Sequence, residues 1–233
     1  MHKPNLFIIG APKCGTTSLS LWLSSHPEVF FSPLKEPNYF NFDMKKPYQK
    51  NISEYEELFK GVKNEKIIAE ASTRYLYSDI AINEILNYNA DSKFIALVRN
   101  PIDLVISLHN HLYHIGVETE KDLQKAWLLQ DYRSKGKYIS KWNKDPDSLQ
   151  YKKIASLGNQ IEKFYNIVPK DRRLVIVFED LKNNPESVFT RVLGFLDLDK
   201  SYYPEFEPKN ISFSARSRFL VQSINIIGSI KIL

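Results

Sequence analysis

Short apolar runs alternate along the chain with segments in which apolar residues recur every three or four positions. The short runs predict β-strands at Leu6–Ile9, Val29–Phe31, Ile67–Glu70, Phe94–Val98 and Leu174–Phe178. The periodic segments predict helices at Thr16–Ser25, Ser53–Phe59, Asp79–Asn87, Pro101–His114, Lys121–Tyr132, Tyr151–Tyr165 and Pro185–Leu196. Strand–helix alternation is typical of a mostly parallel sheet covered by helices, which binds ligands where its strands end. We therefore predict a three-layer α/β fold.

Length and composition limit the number of domains and the kinds of ligand that this chain can have. With 233 residues and 43% apolar content, the chain predicts one domain over residues 1–233. A net charge of +5 suits an anionic ligand and is too small to indicate nucleic-acid binding. No apolar run approaches the roughly 20 residues that span a bilayer, and no signal peptide precedes the first strand. We therefore expect a cytoplasmic protein with no membrane span.

The first strand leads into a glycine-bounded loop and then into a helix. Gly10 and Gly15 enclose four residues, and a hydroxyl pair follows, which is nearly the pattern of a phosphate-binding P-loop. Nucleotide triphosphatases place Lys directly after the second Gly, where this chain has Thr16, and Lys13 lies inside the loop instead. The sequence thus predicts a P-loop fold whose loop binds a nucleotide phosphate but is poorly equipped for a metal-bound γ-phosphate. The predicted phosphate-binding residues are Lys13, Cys14, Gly15, Thr16, Thr17 and Ser18.

Polar residues also occur at the ends of the second and third predicted strands. Lys35 and Glu36 precede Pro37, which excludes helix there. Glu70 ends a strand, and we expect it to pair with Arg74 or Lys93.

A second phosphate site is predicted at the fourth strand. Arg99 ends that strand, and Ser107 lies about 10 Å along the following helix at 1.5 Å per residue. The planar fork of arginine suits phosphate oxygens, so one phosphate can meet both side chains. A nucleotide with phosphates on both sides of its ribose would satisfy this site and the loop together.

These segments resemble the PAPS-dependent sulfotransferases, whose donor is 3′-phosphoadenosine 5′-phosphosulfate. Gly10–Ser18 is similar to the family's 5′-phosphosulfate loop, and Arg99 with Ser107 is similar to its 3′-phosphate site. Residues 36–40 resemble the Glu-x-x-aromatic-Phe motif of the glycan-type branch. Val177–Leu181 and Gly194–Leu196 match that branch's late strand and helix, and Ser212–Phe219, with Arg216 and Arg218, resembles the basic loop over the donor.

The resemblance implies a role for each of these residues. Glu36 is the general base, Lys13 neutralises the leaving 5′-phosphate, and Arg216 and Arg218 bind the donor. Glycan-type enzymes often carry Lys where this chain has Ala71, and we assign that catalytic role to Lys35. The implied reaction moves the sulfuryl group of PAPS to a hydroxyl or amine of a glycan, lipid or small molecule and leaves PAP.

Several alternatives stay open from the residues alone. Glu70 competes with Glu36 as the base. The alternatives to a sulfotransferase are a P-loop kinase and a non-catalytic nucleotide-dependent binding protein. Cys14 is an incidental loop residue or a thiol activated by the helix N-terminus. His111 and His114 lack a third ligand at suitable spacing, so we predict no metal. The apolar segment Phe219–Leu233 packs in the core or forms a homodimer surface.

Overall fold

The computed structural model of the chain describes residues 2–44, 51–140, 143 and 145–206. These residues form a five-stranded sheet in which every neighbouring pair is parallel. The strands are β1 (Leu6–Gly10), β2 (Val29–Phe31), β3 (Ile67–Ala71), β4 (Lys93–Val98) and β5 (Arg173–Val177). Their order across the sheet is β2-β3-β1-β4-β5. The predicted α/β fold with a parallel sheet is confirmed.

The central strand β1 is buried along its whole length and pairs on both edges. Leu6 lies opposite Ala69 of β3 and Lys93 of β4, and all five residues of β1 are buried. Phe7 stacks on Phe94 with ring centroids 5.8 Å apart. An uninterrupted apolar strand such as β1 is the pattern expected where helices cover both faces of a parallel sheet.

The described helices connect and follow these strands. They are α1 (Thr16–Ser24), α2 (Ile52–Glu56), α3 (Ala81–Tyr88), α4 (Pro101–His114), α5 (Leu123–Leu128), α6 (Gln130–Ser134), α7 (Tyr151–Ala155), α8 (Leu157–Ile167), α9 (Phe178–Asn183) and α10 (Pro185–Leu196). Short 3₁₀ turns lie at Glu57–Phe59, Pro146–Leu149 and Lys170–Arg172. Pro101 and Pro185 each begin a helix, as expected for a residue with fixed φ and no N–H.

Contacts divide the described residues into two compact units. The first contains the sheet and consists of the residues up to Asn100 and from Ser156 onward, whereas the second runs from Pro101 to Ala155. Because the contacts divide in this way, the single domain over residues 1–233 stays a prediction.

The second unit has its own buried ion pair. Arg133 donates to both carboxylate oxygens of Glu118, at 2.6 and 2.7 Å, and the Tyr151 hydroxyl donates to the same carboxylate at 2.7 Å. Both charged side chains are fully buried. Two parallel charge-assisted bonds of this kind fix the geometry of the unit they join.

Two predicted helices are each divided. The segment Lys121–Tyr132 contains α5 and α6, which meet at Leu129. The segment Tyr151–Tyr165 breaks at Ser156, whose ψ of 51° is outside the helical region. Ser156 is also where the chain passes from the second unit to the first.

The predicted end of the fifth strand is also wrong by one residue. Phe178 begins α9, a helix that the sequence pattern did not predict. The β4–β5 ladder ends at the pair Val98–Val177, so the sheet offers Phe178 no strand partner.

Gly10 generates a stability prediction. A Cβ atom there would lie 2.7 Å from the backbone N of Leu97 on β4, so Gly10→Ala should lower the free energy of unfolding by roughly 1–3 kcal/mol through overpacking. Gly158→Ala in α8 is the matched control, since its added Cβ meets nothing within 4 Å. That change should leave stability unchanged or raise it by up to about 1 kcal/mol. Urea unfolding of both variants measures the difference, and equal losses would contradict the close approach.

Candidate active site

The polar segments of the first unit follow strands that all end at one edge of the sheet. Residues 11–15 follow β1, residues 32–40 follow β2, residues 72–73 follow β3, and Arg99 follows β4. In a parallel sheet the carboxyl ends of the strands share an edge, and ligands bind in the crevice outside it. The fold therefore brings the loops of the predicted site to a common edge.

The loop after β1 turns tightly before α1 begins. Ala11 N–H donates to the Leu97 carbonyl at 3.0 Å, and Lys13 and Gly15 both have left-handed backbones, with φ of 67° and 85°. A left-handed lysine is uncommon and is typical of strained functional loops. Helix α1 starts at Thr16. Its N-cap residue is Gly15, which has no side chain that could cap the first N–H groups of the helix. Its first N–H groups form the positive helix end that binds anions.

Three cationic side chains gather around this loop. Burial, followed by the charges of Lys35 and Arg99, lowers the pKa of Lys13 below its ordinary value. Lys35 Nζ donates to Thr17 Oγ1 at 2.6 Å, which ties the loop after β2 to the first turn of α1. The positive charges are close enough to repel one another, so the site favours an anion.

Arg99 is held between the loop after β1 and the start of α9. Its Nη1 donates to the Lys13 carbonyl at 3.3 Å, and its guanidinium lies 4.6 Å from the ring centroid of Phe178. Its Nε is buried and has no hydrogen-bond partner among the described residues. A buried donor without an acceptor is rare in a folded protein and is expected where a ligand binds.

Glu36 lies on an irregular segment, as Pro37 predicted. It is half-buried, its φ is 53°, and Asn38 shares that left-handed conformation with φ of 52°. The Glu36 N–H donates to the Ala71 carbonyl at 3.1 Å, and Thr73 Oγ1 donates to Glu36 Oε2 at 3.2 Å. The carboxylate is thus held beside the end of β3.

Glu70 occupies a different environment from the one expected. It is fully buried on β3, and it accepts hydrogen bonds from the hydroxyls of Tyr55, Ser72 and Tyr75 at 2.9, 2.7 and 2.9 Å. The predicted pairing with Arg74 or Lys93 is wrong, because three hydroxyls surround the carboxyl and Lys93 Nζ donates to the Phe195 carbonyl. Burial is the main cause that raises the pKa of Glu70 to about 7, and the Glu36 charge raises it further.

Two side chains of the site were not assigned from the sequence. Thr73 contacts the Glu36 carboxylate, and Phe178 stacks under Arg99. The available signal was position alone, since Thr73 lies three residues after the predicted strand Ile67–Glu70 and Phe178 is the last residue of the predicted strand Leu174–Phe178.

The activated-thiol alternative for Cys14 is wrong. The thiol is buried and free, and burial raises its pKa to about 12. Desolvation of the thiolate outweighs the neighbouring Arg99 charge, which acts in the opposite direction. An inert loop residue is the interpretation that the structure favours.

The remaining predicted donor residues are not part of the described first unit. Ser107 is half-buried on α4 in the second unit, so its pairing with Arg99 stays a prediction. Arg216, Arg218 and the segment Phe219–Leu233, with its predicted dimer surface, lie outside the described residues.

The histidines of α4 differ in their exposure to solvent. His109 is buried, and its Nε2 lies 2.9 Å from the Glu120 carbonyl, whereas His111 is exposed. No cluster of three or more His, Cys, Asp or Glu side chains suited to a metal occurs within the described ranges.

Comparison with known proteins identifies the family. The family model described as "Sulfotransferase domain" matches residues 3–224, and the chain belongs to this family. It is 24% identical to the membrane-associated sulfotransferase kil1 of Dictyostelium discoideum, over 89% of this chain and 59% of that protein. The chain spans about half the length of the curated relatives it matches. None of the helices in the described ranges is long and apolar enough to cross a membrane.

Solved structures share the fold. A sulfotransferase from Alicyclobacillus acidocaldarius superposes with a TM-score of 0.80 at 24% identity, covering 97% of this chain and 93% of that one. Mouse sulfotransferase SULT7A1, solved in complex with PAP, has a TM-score of 0.54 at 15% identity and covers 100% of this chain and 67% of its own. These likenesses assign the chain to the sulfotransferase fold.

The environment of Glu70 generates a pH prediction. Its pKa rises from 4.5 to about 7 on folding, so between these values the folded protein holds one proton more than the unfolded chain. The free energy of unfolding therefore falls as the pH rises through this window. From pH 5 to pH 8 this decrease should be smaller in Glu70→Gln by on the order of 2 to 3 kcal/mol.

Urea unfolding at the two pH values measures the effect. Glu56→Gln is the control, because Glu56 also accepts a tyrosine hydroxyl, from Tyr88 at 3.0 Å, but is only half-buried. An unchanged pH dependence in Glu70→Gln would show that this carboxyl ionises normally in the folded protein.

Proposed function

We propose that this chain transfers the sulfuryl group of PAPS to a hydroxyl or amine of an acceptor, with Glu36 as general base and no metal. The observation that carries the proposal is the group of Lys13, Lys35 and Arg99 around a phosphate-binding loop, on the sheet edge that also carries Glu36. Family membership supports sulfuryl transfer, and the PAP complex of SULT7A1, a protein of similar fold, supports the donor.

The donor's 5′-phosphosulfate fits the loop after β1. The N–H groups and hydroxyls of residues 15–18 would bind its oxygens at the helix end. Lys13 would neutralise charge that develops on the leaving phosphate oxygen. A bound anion would also relieve the repulsion among Lys13, Lys35 and Arg99, which adds to the effect of burial in lowering the pKa of Lys13.

The 3′-phosphate is assigned to Arg99 with Ser107. The buried Nε of Arg99 has no acceptor among the described residues, and a phosphate oxygen would satisfy it. The Phe178 ring and the Lys13 carbonyl hold the guanidinium in place before the ligand arrives. Arg216 and Arg218 are assigned to the donor on the family resemblance.

The reaction requires one bond exchange and one proton transfer. The acceptor oxygen or nitrogen forms a bond to sulfur as the bond between sulfur and the 5′-phosphate oxygen breaks, and PAP leaves with that electron pair. The acceptor's proton passes to the Glu36 carboxylate, which Thr73 orients through its hydrogen bond. Lys35, held at Thr17, is assigned to the sulfuryl oxygens in place of the lysine absent at Ala71.

Donor binding gives the first test. PAP should bind at least about 10-fold more tightly than AMP, since AMP lacks the 3′-phosphate and charge-assisted bonds contribute about 1.5–3 kcal/mol. Arg99→Ala should remove most of this preference by weakening PAP binding while leaving AMP binding nearly unchanged. Arg172→Ala removes an equal charge just before β5, at the opposite edge of the sheet, and should keep the preference. Calorimetry measures all six affinities, two ligands for each of the three proteins, and equal binding of PAP and AMP by the unmodified protein would refute the assigned donor.

The base gives the second test. Glu36→Gln should lower kcat by roughly 10²-fold and leave PAP affinity nearly intact, because the amide keeps the shape but cannot accept the proton. Transfer is measured from labelled PAPS to a panel of glycan, alcohol and amine acceptors in the presence of EDTA. Glu28→Gln, placed before β2 at the opposite sheet edge, is the matched control. Lys13→Ala should impair both binding and kcat.

Two outcomes would contradict this assignment. Activity that EDTA abolishes and Mg²⁺ restores would favour the kinase alternative. An unchanged kcat in Glu36→Gln, with loss of activity in Glu70→Gln, would place the base at Glu70.

A further inference from the structure

The segment that carries Glu36 has little regular hydrogen bonding of its own. It follows β2, which ends at Phe31, and includes two left-handed residues, Glu36 and Asn38. Such conformations are unfavourable for residues with a Cβ and persist only where the surroundings enforce them. The groups that bind the backbone of residues 38–40 therefore act together with the hydrogen bond from Glu36 N–H to the Ala71 carbonyl to keep Glu36 in its position.

Two hydroxyls from the end of β3 bind that backbone. Ser72 Oγ accepts the Asn38 N–H at 3.0 Å. The Tyr75 hydroxyl accepts the N–H of Tyr39 at 3.0 Å and that of Phe40 at 3.4 Å.

The same two hydroxyls donate their protons to Glu70. Ser72 Oγ donates to Oε2 at 2.7 Å, and the Tyr75 hydroxyl donates to Oε1 at 2.9 Å. Because the carboxylate accepts both protons, the oxygen lone pairs of Ser72 and Tyr75 are left to accept backbone N–H groups. The buried Glu70 carboxylate thus sets the direction of these hydrogen bonds: the two hydroxyls donate to the carboxylate and accept from the backbone.

We infer that Ser72 and Tyr75 are positioning residues for Glu36, which link the buried Glu70 carboxylate to the backbone of residues 38–40 and fix the segment that bears the base. The consequence for catalysis rests on the proposed function, whereas the anchoring of the segment does not. Burial strengthens such a network, since water does not compete for its hydrogen bonds.

Tyr55 provides an internal comparison. Its hydroxyl also donates to Glu70 Oε1 at 2.9 Å, and its ring is as deeply buried as that of Tyr75. Its ring stacks on Tyr39 with centroids 4.8 Å apart, a contact that phenylalanine would keep. Within the described residues, the Tyr55 hydroxyl binds no backbone N–H of the 38–40 segment. Tyr55 and Tyr75 therefore differ in the one feature on which the inference depends.

The experiment compares Tyr75→Phe with Tyr55→Phe. Each variant keeps its ring and removes one hydroxyl from Glu70, and only the first releases the Tyr39 and Phe40 amides. Amide hydrogen exchange of these residues should be at least about 10-fold faster in Tyr75→Phe and nearly unchanged in Tyr55→Phe. With PAPS and an acceptor, kcat should fall about 10-fold in Tyr75→Phe and less than about 3-fold in Tyr55→Phe, with PAP affinity unchanged in both.

Ser72→Ala is a second variant, which keeps the inference testable if Tyr75→Phe does not fold. It should accelerate exchange at Asn38 while leaving PAP affinity intact. Equal exchange rates in the two tyrosine variants, or a kcat in Tyr75→Phe equal to that of Tyr55→Phe, would overturn the inference. A parent protein that neither binds PAP nor transfers from PAPS would refute the proposed function, and the exchange comparison would still decide whether Tyr75 anchors the segment.

Discussion

The pairing of β1 between β3 and β4 is the constraint on which the rest of the first unit depends. Both edges and both faces of β1 are occupied, and Gly10 permits a backbone approach to Leu97 that a Cβ would block. This register sets the point at which the phosphate-binding loop leaves the sheet. Because β3 and β4 run parallel to β1, the loops that follow the three strands lie at the same edge of the sheet.

The charged side chains at this edge of the sheet differ in how deeply they are buried. Lys13, Lys35 and Arg99 form a partly buried cationic group whose mutual repulsion an anion would relieve. Glu36 stays half-buried beside Thr73, whereas Glu70 lies fully buried among hydroxyls. The two carboxylates therefore differ in environment: Glu36 is the proposed base, and Glu70 is inferred to organise the segment that bears it.

Much of the fold followed from local patterns. The apolar runs located each strand, because strands of a parallel sheet covered by helices are rich in apolar residues. Pro101 and Pro185 located two helix starts, since proline favours the first helical position. The breaks at Leu129 and Ser156 and the helix starting at Phe178 were missed. The break at Ser156 coincides with the boundary between the two compact units, and Phe178 follows the last paired residue of β5, so no local pattern marks either position.

The sequence by itself determined the candidate residues for the chemistry, since phosphate binding and proton transfer require particular side chains next to strand ends. The spacing of Gly10, Lys13 and Gly15 and the placement of Glu36 and Arg99 after strands were readable without coordinates. Only the tertiary structure decided their environments. Burial raises the pKa of both the Cys14 thiol and the Glu70 carboxyl. Of the three hydroxyls around Glu70, those of Ser72 and Tyr75 lie within five residues of it, whereas Tyr55 lies 15 residues away on α2. The Tyr55 contact forms only when the chain folds, so no local pattern encodes it.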